Sequence, residues 1–230
     1  MSACQRFSIL RSPPLRASPF ALPALRFALL SPISASQLFS ICDLCPPLRL
    51  ASSTSRATFA ALSTRTIHPL PPRDQHHLLA AEGWLELGNH LEATAELEEI
   101  TPTLRGHPQV LEIRWGIYAH CKKWEACVEI ANALVTLMPD HESGWIHRSY
   151  ALHELKRTLE AFELLLPAAS RFADNWNIPY NLACYCAQLG RISEAEEWFK
   201  KAMALDEQTV RAAALDDPDL EPLWKNIGKL

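Results

Sequence analysis

Four short stretches recur along the chain at nearly constant spacing: GNHLEATAEL, KKWEACVEI, KRTLEAFELL and GRISEAEEWF. Each places an alanine early in a run of helically spaced apolar residues, and Ala93, Ala126, Ala161 and Ala195 follow one another at steps of 33, 35 and 34. Such a period is one supersecondary unit repeated, so the chain must form a stack in which each unit buries its apolar face on a neighbour. The best-preserved copy runs from Asn175 to Asp206. Leu182, Ala183, Cys186 and Leu189 form one stripe, and Ala195, Trp198, Phe199, Ala202 and Leu205 a second, which predicts two amphipathic helices joined at Leu189-Gly190-Arg191. Glu194, Glu196, Glu197, Lys200 and Lys201 take the wet side of the second helix.

These features resemble the tetratricopeptide repeat family, helix-turn-helix units of about 34 residues. The family's small residue early in the second helix is matched by the four alanines, and its turn glycine by Gly88 and Gly190. Its early first-helix tryptophan is matched by Trp145, its Leu-small pair by Leu182-Ala183 and its inter-repeat proline approximately by Pro139. A larger side chain at the helix crossing would push the axes beyond the usual spacing of about 8–10 Å. The resemblance implies an all-α, right-handed α-solenoid of four units, residues 74–106, 107–139, 140–174 and 175–206, closed by a capping segment at 207–230 and preceded by a disordered leader at 1–73. Asp74, Pro108, Asp140 and Asn175 are candidate cap or first-turn residues of the four first helices. The second unit departs from the pattern: its turn reads one residue short, Trp115 falls near a small position and Lys122-Lys123 replaces the glycine.

After the last repeat, residues 207–214 continue helical, and Asp217 and Pro218 read as N-cap and N1 of a short helix. Leu220, Leu223 and Trp224 share a face that would cover the last repeat. This tail, and the run PPRDQHHLLAAEGWLELGN, are similar to the end and beginning of a group of bacterial tetratricopeptide proteins of unassigned function.

The net charge of −4 averages two unlike parts. Residues 1–73 carry eight Arg, one acid, ten of the 17 Pro, twelve Ser, and no Lys, Glu, Gly, Trp or Tyr. From Asp74 onward 14 basic residues meet 25 acidic ones, a charge of −11 that repels phosphate backbones and argues against nucleic acid. The leader has three readings: upstream sequence translated from a start assigned too early in a bacterial gene, an organelle transit peptide, or a functional disordered tail. The first places the native start near Leu70 and the protein in the cytoplasm; the second sends it to an organelle. The apolar run Phe20–Leu30 is broken by Pro23 and Arg26 and is too short to span a membrane.

Catalytic and metal chemistry find no motif. Cys42-Asp-Leu-Cys45 has CxxC spacing without a second pair, and Cys184 and Cys186 stand about 200° apart around a helix. His141, His147 and His153 step about 240° apart and read as solvated or capped side chains. The seven cysteines, an odd number placed mostly in helices, fit a reducing compartment. No phosphate loop, GxSxG or HExxH is present, so no cofactor, metal or catalytic residue is expected.

The expected function is therefore non-catalytic protein–protein interaction, with a peptide or helix of a partner held in the concave groove; a self-associating homo-oligomer is the alternative, and an enzyme or metal-binding protein the third class. Stacked units line the groove with their first helices. The register nominates Glu112, Ile146, Tyr150, His153, Asn177, Tyr180, Asn181 and Cys184 as exposed groove residues, with Asn181 able to hold a main-chain amide. Lys and Arg are almost absent from these faces, unlike the subgroup that clamps a terminal carboxylate.

Overall fold

The computed structural model describes residues 68–224. The three leader readings and the Cys42–Cys45 pair lie outside them, as do residues 225–230. Among the described residues ten α-helices run in sequence: α1 (Pro72–Glu86), α2 (His90–Glu99), α3 (Pro108–His120), α4 (Trp124–Leu137), α5 (Ser143–Glu154), α6 (Thr158–Leu165), α7 (Ala168–Arg171), α8 (Asn177–Gln188), α9 (Ile192–Leu205) and α10 (Glu207–Ala214). Short 3₁₀ turns occupy Pro102–Leu104 and Pro218–Leu223. The described residues contain no strand. Pro72 and Arg73, given to the leader by composition, open the first helix, because proline is tolerated where an N–H has no intrahelical partner.

The first helices α1, α3, α5 and α8 end at Glu86, His120, Glu154 and Gln188, and the second helices begin at His90, Trp124, Thr158 and Ile192, each set in steps of 34. The turns between them are the same object four times. At each, one residue takes a positive φ: Gly88 (76°), Lys122 (56°), Lys156 (64°) and Gly190 (74°). Paired backbone bonds close each turn, as where Gly190 N donates to Ala187 O at 3.1 Å and Arg191 N to Cys186 O at 2.9 Å. In the second unit Lys122 N reaches Ala119 O at 3.0 Å and Lys123 N reaches Tyr118 O at 2.9 Å, the same pattern without a glycine. The turn of that unit is therefore not one residue short. The small buried residue of its second helix is Cys127, fully buried, while Ala126 is half-exposed, so the series is Ala93, Cys127, Ala161, Ala195.

That substitution follows from the room available at the crossing. Cys127 is nearly as small as alanine, and its thiol lies 3.8 Å from the carbonyl of Trp115 on the paired helix. Trp115 itself stands where the other units carry Ala81, Ser149 and Ala183, one step back and one and two steps forward at 34 residues each. Its indole is buried and stacks on His147 of the next unit at 4.0 Å, with the edge of Tyr150 beside it. The neighbouring Gly116 lets Leu85 approach closely, since a Cβ there would lie 2.7 Å from Leu85 Cδ2.

The second helix of the third unit is shorter than its counterparts. Pro167 has no amide proton to continue the ladder, and the helix divides into α6 and α7. Of the nominated first-helix caps, Pro108 stands at the start of α3, and Asp74 lies in the first turn of α1. Asp74 binds across its unit instead of along its helix: its carboxylate accepts from Thr101 N at 2.6 Å and from Thr101 Oγ1 at 3.2 Å. Those bonds hold its carboxyl below the usual range. Asp140 caps nothing and pairs with Arg171, and Asn175 precedes α8 and accepts from Asn177 N at 2.9 Å.

Candidate functional site

The inner wall of a solenoid of helical pairs is made by the first helix of each unit, here α1, α3, α5 and α8. One repeat step carries Tyr180 back to Ile146, Glu112 and Leu78, and Cys184 back to Tyr150, Gly116 and Glu82. The eight sequence-nominated residues therefore fall on this wall or beside it. Their exposure differs from the expectation.

Ile146, Tyr150, His153, Tyr180, Asn181 and Cys184 are all buried, none more than 5% exposed. Tyr150 fills space between units, edge-on to Trp115 and Trp124, and its hydroxyl donates to Glu154 at 2.8 Å. Asn181 is committed along its own helix, its Nδ2 donating to Asn177 Oδ1 at 3.0 Å. Only Glu112 and Asn177 remain half-exposed. The helical period locates a residue on a face, and it says nothing of what later folds over that face.

What folds over its α8 end is the segment that follows α10. After α10 the segment Asp217–Leu223 lies on α8 and reaches the last turn of α5. Asp217 Oδ2 accepts from the Tyr180 hydroxyl at 2.8 Å and faces the Cys184 thiol at 3.8 Å, while its Oδ1 accepts from Asp219 N at 3.1 Å as the N-cap of the 3₁₀ turn. Asp219 Oδ2 stands 3.3 Å from His153 Nε2, and its carbonyl accepts from Gln188 Nε2 at 3.0 Å. Leu220 and Leu223 are fully buried, and Trp224 donates to the Ala214 carbonyl at 3.2 Å. Burial pushes the Asp217 carboxyl above its usual range despite the Tyr180 hydroxyl, and the nearby Asp219 carboxylate adds to the rise.

Sequence reasoning assigned Asp217 a cap and Leu220, Leu223 and Trp224 a covering face, of which Trp224 is instead exposed, and missed that Asp217, Asp219 and Gln188 join Tyr180, Cys184 and His153 in one site. The available signal was the pair of acids flanking Pro218: one oxygen satisfies the cap, and the second oxygen of a buried carboxylate must find another donor.

A second polar cluster ties the second and third units. Glu112 Oε2 lies 2.8 Å from His147 Nε2, and Glu112 also accepts from Ser143 Oγ, which in turn lies 3.0 Å from His141 Nδ1. Burial works to raise the Glu112 carboxyl, and His147 with Ser143 more than offset it, leaving it below its usual range. His147 and His153 are thus buried and paired with acids of other elements, and only His141 among the three is solvated. Glu112 orders the histidine and the hydroxyl as a bridge between α3 and α5. Among the described residues no group of three His, Cys, Asp or Glu could hold a metal ion, and no helix is long and apolar enough to cross a membrane.

No family model matches the chain, and no curated protein matches it. Solved structures do. MamA 41-end from Desulfovibrio magneticus RS-1 aligns over 64% of this chain and 92% of its own at a TM-score of 0.52 and 16% identity. A MamA RS-1 double mutant aligns over 59% of this chain and 76% of its own at the same TM-score and 13% identity. Identity so low speaks to architecture alone. With four helical pairs in register at 34 residues and these neighbours, the chain has the tetratricopeptide-repeat solenoid fold.

Proposed function

We propose that this chain is a non-catalytic protein-interaction module that holds an extended or helical segment of a partner protein against the inner wall of its repeats. The observation that carries the reading is that this wall already holds such a segment. Seven residues, Asp217–Leu223, lie on it, fixed by side chains of two successive first helices. The same wall continues through the second and first units, where His120 of α3 and Glu82 and Glu86 of α1 are exposed. A photo-crosslinking residue in place of Glu86 or His120 should capture a partner in the native cell. The same residue in place of Glu163, exposed on α6, should capture none. Equal yields from the two sets would sink the reading.

A self-associating module is the second reading, favoured by Leu79, Leu87 and Leu91, which are 57%, 76% and 45% exposed in the first unit. A sedimentation profile that stays monomeric across concentrations removes it.

A further inference from the structure

We propose that the inner wall over α5 and α8 is a receptor for an acidic segment of the pattern Asp-x-Asp-Leu-x-x-Leu on a partner protein, and that Asp217–Leu223 is its resident, displaceable occupant. This rests on the inner-wall reading above and names the class of partner. The wall's chemistry is one-sided. Tyr180 Oη, Cys184 Sγ, Gln188 Nε2 and His153 Nε2 each meet a carboxylate or carbonyl oxygen of the segment. His153 Nδ1 lies 3.0 Å from the Thr158 hydroxyl; with that hydroxyl as donor, the tautomer leaves Nε2–H to face Asp219. Two buried sites for Leu220 and Leu223 supply apolar area, and their three-residue spacing sets the register against the acids.

Three features make the occupant displaceable. The hydrogen bonds named at the Asp217 carboxylate come from neutral groups, a phenol, a thiol and a backbone amide, so its charge is buried without a cation among them. The segment is a 3₁₀ turn of six residues, longer than this helix type ordinarily sustains, with Pro222 inside it. The chain between it and α10 is short, Leu215 and Asp216, both exposed. A tethered occupant competes at an effective concentration in the millimolar range for short flexible links, so a free segment binds the closed chain weakly and the opened chain well.

The test is fluorescence anisotropy of a labelled synthetic peptide, residues 216–224, against the full chain and against the full-length Leu220→Ala, Leu223→Ala variant. The variant should bind at least about tenfold more tightly than the wild type, and adding Tyr180→Phe should weaken that binding. Equal binding to both chains, or none to a variant whose helical signal and melting remain intact, overturns the proposal. Hydrogen exchange on the unmodified chain decides the case should the variant not fold: amides of residues 215–224 opening more easily than those of α8 and α9 support displacement. Equal protection makes the segment a fixed cap and overturns it. A concentration-dependent wild-type dimer lost in the variant assigns the wall to the tail of a second copy and overturns the partner claim. Failure here with inner-wall crosslinks intact leaves the broader function standing; failure of both removes both.

Discussion

The hydroxyl of Tyr180 donates to Asp217 across 2.8 Å and 37 positions of sequence, joining the last repeat's inner helix to the segment that follows α10. Neither partner meets solvent. Tyr180→Phe keeps the ring and removes the donor, leaving a buried carboxylate oxygen short of a bond at a cost of about 1–3 kcal/mol to docking of the segment. Exchange of the amides in residues 217–223 should quicken correspondingly, with α1 to α4 unchanged.

The same pair sets a pH dependence. The folded carboxyl of Asp217 titrates above its unfolded value, so the folded form holds its proton more firmly. Docking is then strongest below the unfolded value and weakens as pH rises through the folded one. The groups around it are Tyr180, Cys184 and Asp219, with His153 acting through Asp219. Asp217→Asn should flatten this dependence and, at pH 7, slow the opening of residues 217–223; an unchanged pH profile of exchange would contradict it.

Glu112 runs the other way. Its carboxyl is held below the usual range by His147 and Ser143, so the stability it contributes is full above the unfolded value and is lost as pH falls through the folded one. Glu112→Gln should cost about 1–2 kcal/mol at pH 7 and nearly nothing at acid pH. Denaturant midpoints of the two chains, compared at both pH values, check it.

The period, the helical pairs and the small residue at three of the four crossings were legible because they are local: apolar stripes at helical spacing and a fixed step determine them. The second unit reads one residue short when Ala126 is set against Ala93, Ala161 and Ala195. The turn requires a positive φ, and Lys122 and Lys156 supply it at a cost that packing covers. With the turn fixed at Lys122, Cys127 falls into line and Ala126 does not. The wall was placed by the same period, yet its covering was not legible, since Asp217 meets Tyr180 only after the chain reverses beyond α10. A long-range meeting of two polar groups leaves no periodic trace.

Those lysines carry a prediction. Replacing Lys122 or Lys156 with glycine relieves the left-handed backbone strain but loosens the unfolded chain, for a net gain of about 0.5–1 kcal/mol each. The two turns lie in different units, so their gains should add within a few tenths of a kcal/mol. Thermal melts of both single variants and the double variant measure it; a loss at either site would show that the lysine side chain does more than stand at a turn.

Gly144 has the opposite outcome for the opposite reason. It lies in the first turn of α5 at an ordinary helical conformation, where alanine is the better helix former. A Cβ there would nevertheless lie 2.8 Å from Val135 N and 3.1 Å from Leu134 C, both backbone atoms of α4. Backbone cannot swing aside as a side-chain tip can, so the helices must separate where α4 packs on α5 at the junction of the second and third units. Gly144→Ala should therefore destabilise by about 1–3 kcal/mol, the range of an overpacked core. Gly116→Ala meets only the mobile end of Leu85 and should cost less. Denaturant unfolding of the two variants side by side tests the distinction: equal losses would mean that the close approach of α5 to α4 is not what fixes glycine at position 144.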